Sequence, residues 1–275
     1  MQRQKAIEET EDAYKSDNKE EREKRLIEIN DVFENNASDY GRKLYLIENC
    51  IYGIDIQPIA VQISKLRFFI SLVVDQKEKK GENRGIRPLP NLETKFVAAN
   101  TLIGLEKPAQ LSMGYHLIEP MQDELQAVRH RHFEAKSRRE KMKCQKEDKA
   151  IRKKISEQLK SLGFGNKDAD KIAQFDIYDQ NASASWFESE WMFGKELSRG
   201  FDIVIGNPPY IKEYTFRDAF EGVRNSPYYQ GKMDLWYLFA CKNLDNLRKK
   251  SGVLCFIATN NWTTNSGASK MRAKI

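Results

Sequence analysis

The chain is poor in the residues that build metal centres and covalent frameworks. Its 275 residues hold four cysteines, Cys50, Cys144, Cys241 and Cys255, with no CxxC pair, and three histidines. His130 and His132 stand two apart in sequence and cannot share one helix face. The expectation is no structural zinc, no other metal and no disulfide framework. Apolar runs are short as well. None approaches the roughly 18 to 20 residues needed to span a bilayer, and the polar, acidic start does not resemble a secretion signal. These absences point to a soluble cytoplasmic protein without a membrane partner.

What is present is enough apolar content, 40%, for a core, together with 31% charged residues that require long solvated helix. The net charge of +6 is unevenly placed: Arg129 to Lys160 holds 13 Lys/Arg against 5 Asp/Glu, a net +8, so the remainder of the chain nets -2. Four stretches follow from these shifts. Residues 1–39 read as a charged helical lead-in, 40–118 as the first part of an α/β domain, 119–198 as a basic helical insertion, and 199–275 as the second part of the domain.

The organising stretch is Phe201 to Tyr210, FDIVIGNPPY. Phe201, Ile203, Val204 and Ile205 read as a buried strand that stops at Gly206 and delivers Asn207, Pro208, Pro209 and Tyr210 past its end. In an open α/β sheet, ligands bind there. A second strand, Cys50 to Ile56, ends on Asp55 and runs through Gln57-Pro58 into a helix with Ile59, Ile63, Leu66, Ile70 and Val73 at helical spacing. Asp55 there either takes ribose hydroxyls at a sheet edge or caps the helix. After a polar loop over Lys77 to Arg87, Lys95 to Leu102 reads as a further strand with Asn100 and Thr101 at its exit, completing a parallel βαβ unit.

Leu125 and Val128, then Ile151, Ile155, Leu159 and Leu162, mark one face of two antiparallel helices whose other faces are basic. This arm is either a contact for phosphates or a solvated hairpin. The aromatic-rich stretch Asp176 to Arg199 should pack the insertion back onto the sheet. A helix over Asp234 to Lys249 and a buried strand over Gly252 to Ala258 complete the pattern.

The chemistry at the strand end follows from residue types. An exocyclic aromatic amine is a poor nucleophile because its lone pair is delocalised. Two acceptors that receive both N–H bonds localise that pair. Asn207 offers a side-chain carbonyl and Pro208 a main-chain one, two prolines stiffen the turn, and Tyr210 offers a flat face for stacking. The bland alternative is a rigid turn with Tyr210 in the core.

Several blocks occur together and in order: Ile51 to Ile56 with Pro58, Ala60 and Leu66-Arg67; Leu89 to Leu92 with Asn100 to Leu102; Asn207 to Tyr210; Lys232 to Trp236; and the Gly252 to Ala258 strand. In this the sequence resembles adenine-specific DNA methyltransferases, in particular restriction-modification methylases of the Eco57I type and related phage-defence methylases. The resemblance implies an α/β class I methyltransferase sheet of Rossmann-like form, S-adenosylmethionine as methyl donor, and transfer to N6 of a flipped adenine in DNA. By the same resemblance Asn207, Pro208, Pro209 and Tyr210 are the catalytic set, and Asp55, Ile56, Asn100 and Thr101 the cofactor set.

The family's glycine-rich cofactor loop has no counterpart from Met1 to Asn49, and its target-recognition domain has none after Ile275. The expectation is an incomplete sheet in an internal fragment, inactive and weak in cofactor binding alone, with an upstream polypeptide or a restriction subunit as partner. The alternatives are an RNA-base or protein-glutamine methyltransferase, and a non-catalytic nucleic-acid-binding subunit with a vestigial site.

Overall fold

The structure, a computed structural model, describes residues 39–76, 89–106 and 115–275. The lead-in expected before Asp39 and the polar loop of Lys77 to Arg87 lie outside them. The chain divides into two compact units, Met1–Tyr52 with Ile63–Pro90, and Gly53–Gln62 with Asn91–Ile275.

In the first unit, α1 (Asp39–Asn49) buries Tyr40 and Ile47. The greater part of α2 (Pro58–Val74) also belongs here, and Lys43 on α1 pairs with Asp75 at 2.5 Å. Helical spacing located α2, but its apolar stripe does not point into a core. Ile63, Leu66, Ile70 and Val73 are all more than half exposed, while Val61 and Leu72 are buried.

The second unit begins with β1 (Gly53–Asp55), paired in parallel with β2 (Phe96–Ala98) so that Asp55 stands opposite Ala98. Gly53 has no alternative at its position, since a Cβ there would lie 2.2 Å from the Phe96 ring. Three helices then form the insertion: α3 (Glu119–Glu134), α4 (Arg138–Ser161) and α5 (Asn166–Gln174). A capping box starts α4, with the Glu140 N–H donating to Ser137 Oγ at 3.2 Å and the Ser137 N–H donating to the Glu140 carboxylate at 3.0 Å. The ion pairs Arg129 to Asp148 and Arg131 to Glu147 cross α3 and α4 in antiparallel order.

The return from the insertion adds one bridge to the edge of β2. The Ala184 N–H donates to the Ala98 carbonyl and the Asn100 N–H to that of Ala184, each at 2.9 Å. Beyond it Trp186 and Phe187, then Trp191 and Met192 of the short α6 (Ser189–Met192), then Phe193, are buried. The aromatic stretch thus anchors the insertion to the strand it left.

The second parallel pair is β3 (Ile203–Gly206) with β4 (Val253–Phe256), linked through α7 (Leu235–Asp245), and α8 (Ser269–Lys274) follows. Trp236, Tyr237, Leu238 and Cys241 of α7 form the local core with Phe220, Met233 and Met271, and Leu254 and Phe256 pack against it. The two pairs form separate ladders among the described residues. The architecture is therefore mixed α/β with short parallel sheets, and no described helix is long and apolar enough to cross a membrane.

One expectation is corrected here. The strands over 201–205 and 252–258 read as buried, yet Ile203, Ile205 and Val253 are 61%, 78% and 55% exposed. The reason lies in the layers. One face of the pair rests on α7, and among the described residues no layer covers the other, so alternate side chains of a continuous apolar run meet water.

Candidate active site

The site is built on the end of β3. Gly206 closes the strand where a Cβ would come 2.9 Å from the Phe256 ring, which lets the two strands finish side by side. Asn207, Pro209 and Tyr210 then emerge exposed while Pro208 is buried, so one proline pins the turn and its neighbours face outward. Downstream, the Leu235 N–H donates to the Ile211 carbonyl at 2.8 Å and the Glu213 N–H to that of Met233 at 3.0 Å. The turn is thereby tied to the start of α7 as well as to β4. Both prolines fix φ, so the backbone that carries the Asn207 side chain and the Pro208 carbonyl has little freedom.

Tyr210 lies outside the core, 44% exposed, so the reading as a core tyrosine does not hold. Its hydroxyl lies 3.1 Å from Asn207 Oδ1 and also donates to the Ile257 carbonyl just beyond β4. Asp234, at the start of α7, is buried, and its Oδ1 has no partner. Burial raises its carboxyl above the usual carboxylate range, against the opposing pull of the Trp236 and Ile211 N–H groups.

The proposed cofactor residues lie at the ends of the other pair. Asp55 is exposed at the carboxyl end of β1, and its Oδ1 accepts from the Gln57 N–H at 2.8 Å, the local turn that a capping role would use. A carboxylate has a second oxygen for a ligand. Ile56 is 60% exposed beside it, and its carbonyl accepts from Ser183 Oγ at 3.2 Å. Asn100 leaves β2 with its Oδ1 accepting from the Leu102 N–H at 3.1 Å, and Thr101 follows half-buried. Asp55 and Asn100 thus flank the end of one ladder, while Asn207 and Tyr210 stand at the end of the other.

The family model described as Eco57I restriction-modification methylase matches residues 49–275. The chain belongs to this family. Every candidate residue from Asp55 to Tyr210 lies inside the match. A putative type II restriction enzyme and methyltransferase of Methanocaldococcus jannaschii is 40% identical over 78 residues, 28% of this chain and 6% of that protein. The matched part is therefore a small share of that relative's length. No solved structure matches the chain.

Within this methylase family member, the basic arm needs redrawing. Arg129 and Arg152, counted among its cations, are buried on either side of Asp148, at 3.0 and 2.5 Å. The exposed cations that remain on α4 include Arg139, Lys143, Lys146, Lys149 and Lys153. Sequence reasoning also passed over the Ile257 carbonyl, a backbone group with no side-chain signal, and the buried Asp234. A cleft of about 450 Å³ lined by Arg199, Asp245 and Arg248 opens beside the residues that lead into β3, away from its carboxyl end.

Proposed function

We propose that this chain carries the amine-holding part of an S-adenosylmethionine-dependent DNA methyltransferase acting on adenine N6, on a Rossmann-like class I scaffold. The observation that carries the reading is the stiff turn at the end of a parallel strand, with Pro208 buried and Asn207 and Tyr210 exposed. An adenine turned out of the duplex stacks on the Tyr210 ring. Its N6 donates one hydrogen to the Asn207 side-chain carbonyl and the other to the Pro208 main-chain carbonyl. Both acceptors stabilise the positive charge that develops on nitrogen as the new bond forms, and because the prolines hold the turn they need not reorganise at that moment.

The donor set at the other ladder fits the cofactor. Asp55 retains a carboxylate oxygen suited to a ribose diol, and the exposed Ile56 offers an apolar surface to a purine. Asn100 and Thr101 add polar groups at the β2 exit. S-adenosylmethionine, when bound, supplies the electrophilic methyl group. DNA as substrate agrees with the family and with the exposed cations of α4, which would meet phosphates.

The test measures transfer of labelled methyl, by the chain joined to a segment that supplies a glycine-rich cofactor loop, to duplex DNA, RNA and a glutamine-containing peptide, with digestion of the DNA to nucleosides. The expected product is N6-methyladenine. Asn207→Ala should lower the rate by about 100-fold, the scale of losing one preorganised polar partner. Label in cytosine, in RNA or in the peptide would refute the substrate, and an undiminished rate in Asn207→Ala would remove that residue from the mechanism.

A further inference from the structure

We infer that the Tyr210 hydroxyl is a positioning group for Asn207: it donates to the Ile257 carbonyl, accepts from the Asn207 amide nitrogen, and so turns the Asn207 carbonyl outward toward the incoming amine. The inference rests on the reading of Asn207 as an amine-holding residue and adds to it a second duty for Tyr210, distinct from stacking.

Proton counting leads to it. A phenolic hydroxyl has one proton. Two oxygens face it, the Ile257 carbonyl and Asn207 Oδ1 at 3.1 Å. The Ile257 carbonyl can only accept, whereas the Asn207 side chain carries an NH2 donor as well as its oxygen. The proton is therefore committed to Ile257. An amide oxygen left against the same hydroxyl would set lone pair against lone pair. Rotating the Asn207 amide by half a turn exchanges its oxygen and nitrogen without changing its shape. The repulsion becomes an N–H to oxygen hydrogen bond, and the carbonyl faces away from Tyr210, on an exposed side chain.

The consequence is chemical. An amide free to present either end meets an exocyclic amine with its own N–H groups part of the time, which repels the substrate. With the relay from Ile257 through Tyr210 in place, the acceptor is set before the base arrives.

Tyr210→Phe tests this, because it keeps the ring face and deletes the relay. In nitrogen–proton NMR spectra of the chain, the Asn207 side-chain NH2 pair is assigned by its absence in Asn207→Asp. In the wild type it should exchange several-fold more slowly than that of the exposed Asn181, and it should lose that protection in Tyr210→Phe. Binding is then compared for an oligonucleotide carrying adenine and for the same strand carrying purine, which lacks the amine. The wild type should prefer adenine, and Tyr210→Phe should reduce that preference, the ratio of the two affinities, by about tenfold, the worth of one oriented hydrogen bond. A purely structural role would weaken both ligands alike and so overturns the relay, as does an NH2 pair with the same exchange in both proteins. A wild type with no preference for the amine overturns instead the reading of Asn207 itself, and the relay loses its purpose even where the NH2 pair responds.

Discussion

The helical insertion is richer in charged residues than the β3–β4 half and poorer in apolar ones, and the two reach opposite conditions. In the insertion, a cluster of charged groups is buried and matched. Asp148 is fully buried between two arginines, and each arginine also donates to main-chain carbonyls, Arg129 to Trp191 and Met192 and Arg152 to Ala173 and Phe175. The Tyr178 hydroxyl adds a bond to Asp148 at 3.2 Å. In the β3–β4 half the reverse holds, with Ile203, Ile205 and Val253 apolar and exposed. The insertion matches its buried charges internally, while the strands that carry the candidate site leave one face uncovered.

The sharpest break of that comparison is Asp148→Ala. Burial works against the Asp148 charge, but the guanidinium groups of Arg129 and Arg152 hold its carboxyl below the usual carboxylate range. Removing it strands two buried cations, and the expected loss is about 3–5 kcal/mol of stability, read as a calorimetric shift of the helical transition. A loss under 1 kcal/mol would mean that water reaches the arginines and that the insertion is less self-contained than its contacts indicate.

A smaller effect should come from pH. His132 is buried, neither ring nitrogen has a partner, and its ring packs on Tyr178 with centroids 4.6 Å apart. Burial lowers its pKa, so below its unfolded value of about 6.5 the unfolded chain takes up a proton that the folded chain resists. Stability is then complete above that value and falls as pH drops toward the folded pKa, by at most about 1.4 kcal/mol per pH unit. His132→Phe should flatten the slope between pH 6.5 and 5. A slope that survives the substitution would assign it to another group.

Ser137→Ala, which removes half of the capping box at the start of α4, should cost about 1 kcal/mol. Its use is as a calibration. If the transition that responds to Asp148→Ala also responds to Ser137→Ala by this amount, the insertion unfolds as one unit. If it does not, α4 frays separately.

How much of this was legible in the sequence differs between the same two regions. The helices of the insertion were legible in outline because Leu125, Val128, Ile151, Ile155 and Leu159 repeat at helical spacing, and all five are buried. Their polar core was not. Arg129, Asp148 and Arg152 look like any other charges in a basic run, and only the crossing of α3 and α4 makes them partners. The strands were legible in position and in parallel order. Their burial was misread, because a continuous apolar run reports that a strand is suited to cover on both faces and cannot report whether the cover is there. At the site, the turn and its residue types could be read directly. The link from Tyr210 to the Ile257 carbonyl could not, since 47 residues separate them and one partner is backbone.

The smallest expected effect tests the open face. Ile205 is 78% exposed, so Ile205→Ser in this chain removes little buried apolar surface and should change stability by no more than about 0.5 kcal/mol, measured by denaturant unfolding. A fully buried isoleucine would contribute about 1.5–3 kcal/mol through burial alone, and truncating it would cost more where a cavity remained. The two outcomes are far enough apart to be decided. Phe256→Ala, on the face that packs against α7, is the internal control and should cost clearly more than Ile205→Ser in the same protein. A cost near 2 kcal/mol at Ile205 would show that this face is covered in solution, and the contrast between an insertion with matched buried charges and an open pair of strands would fail at the strand that leads to Asn207.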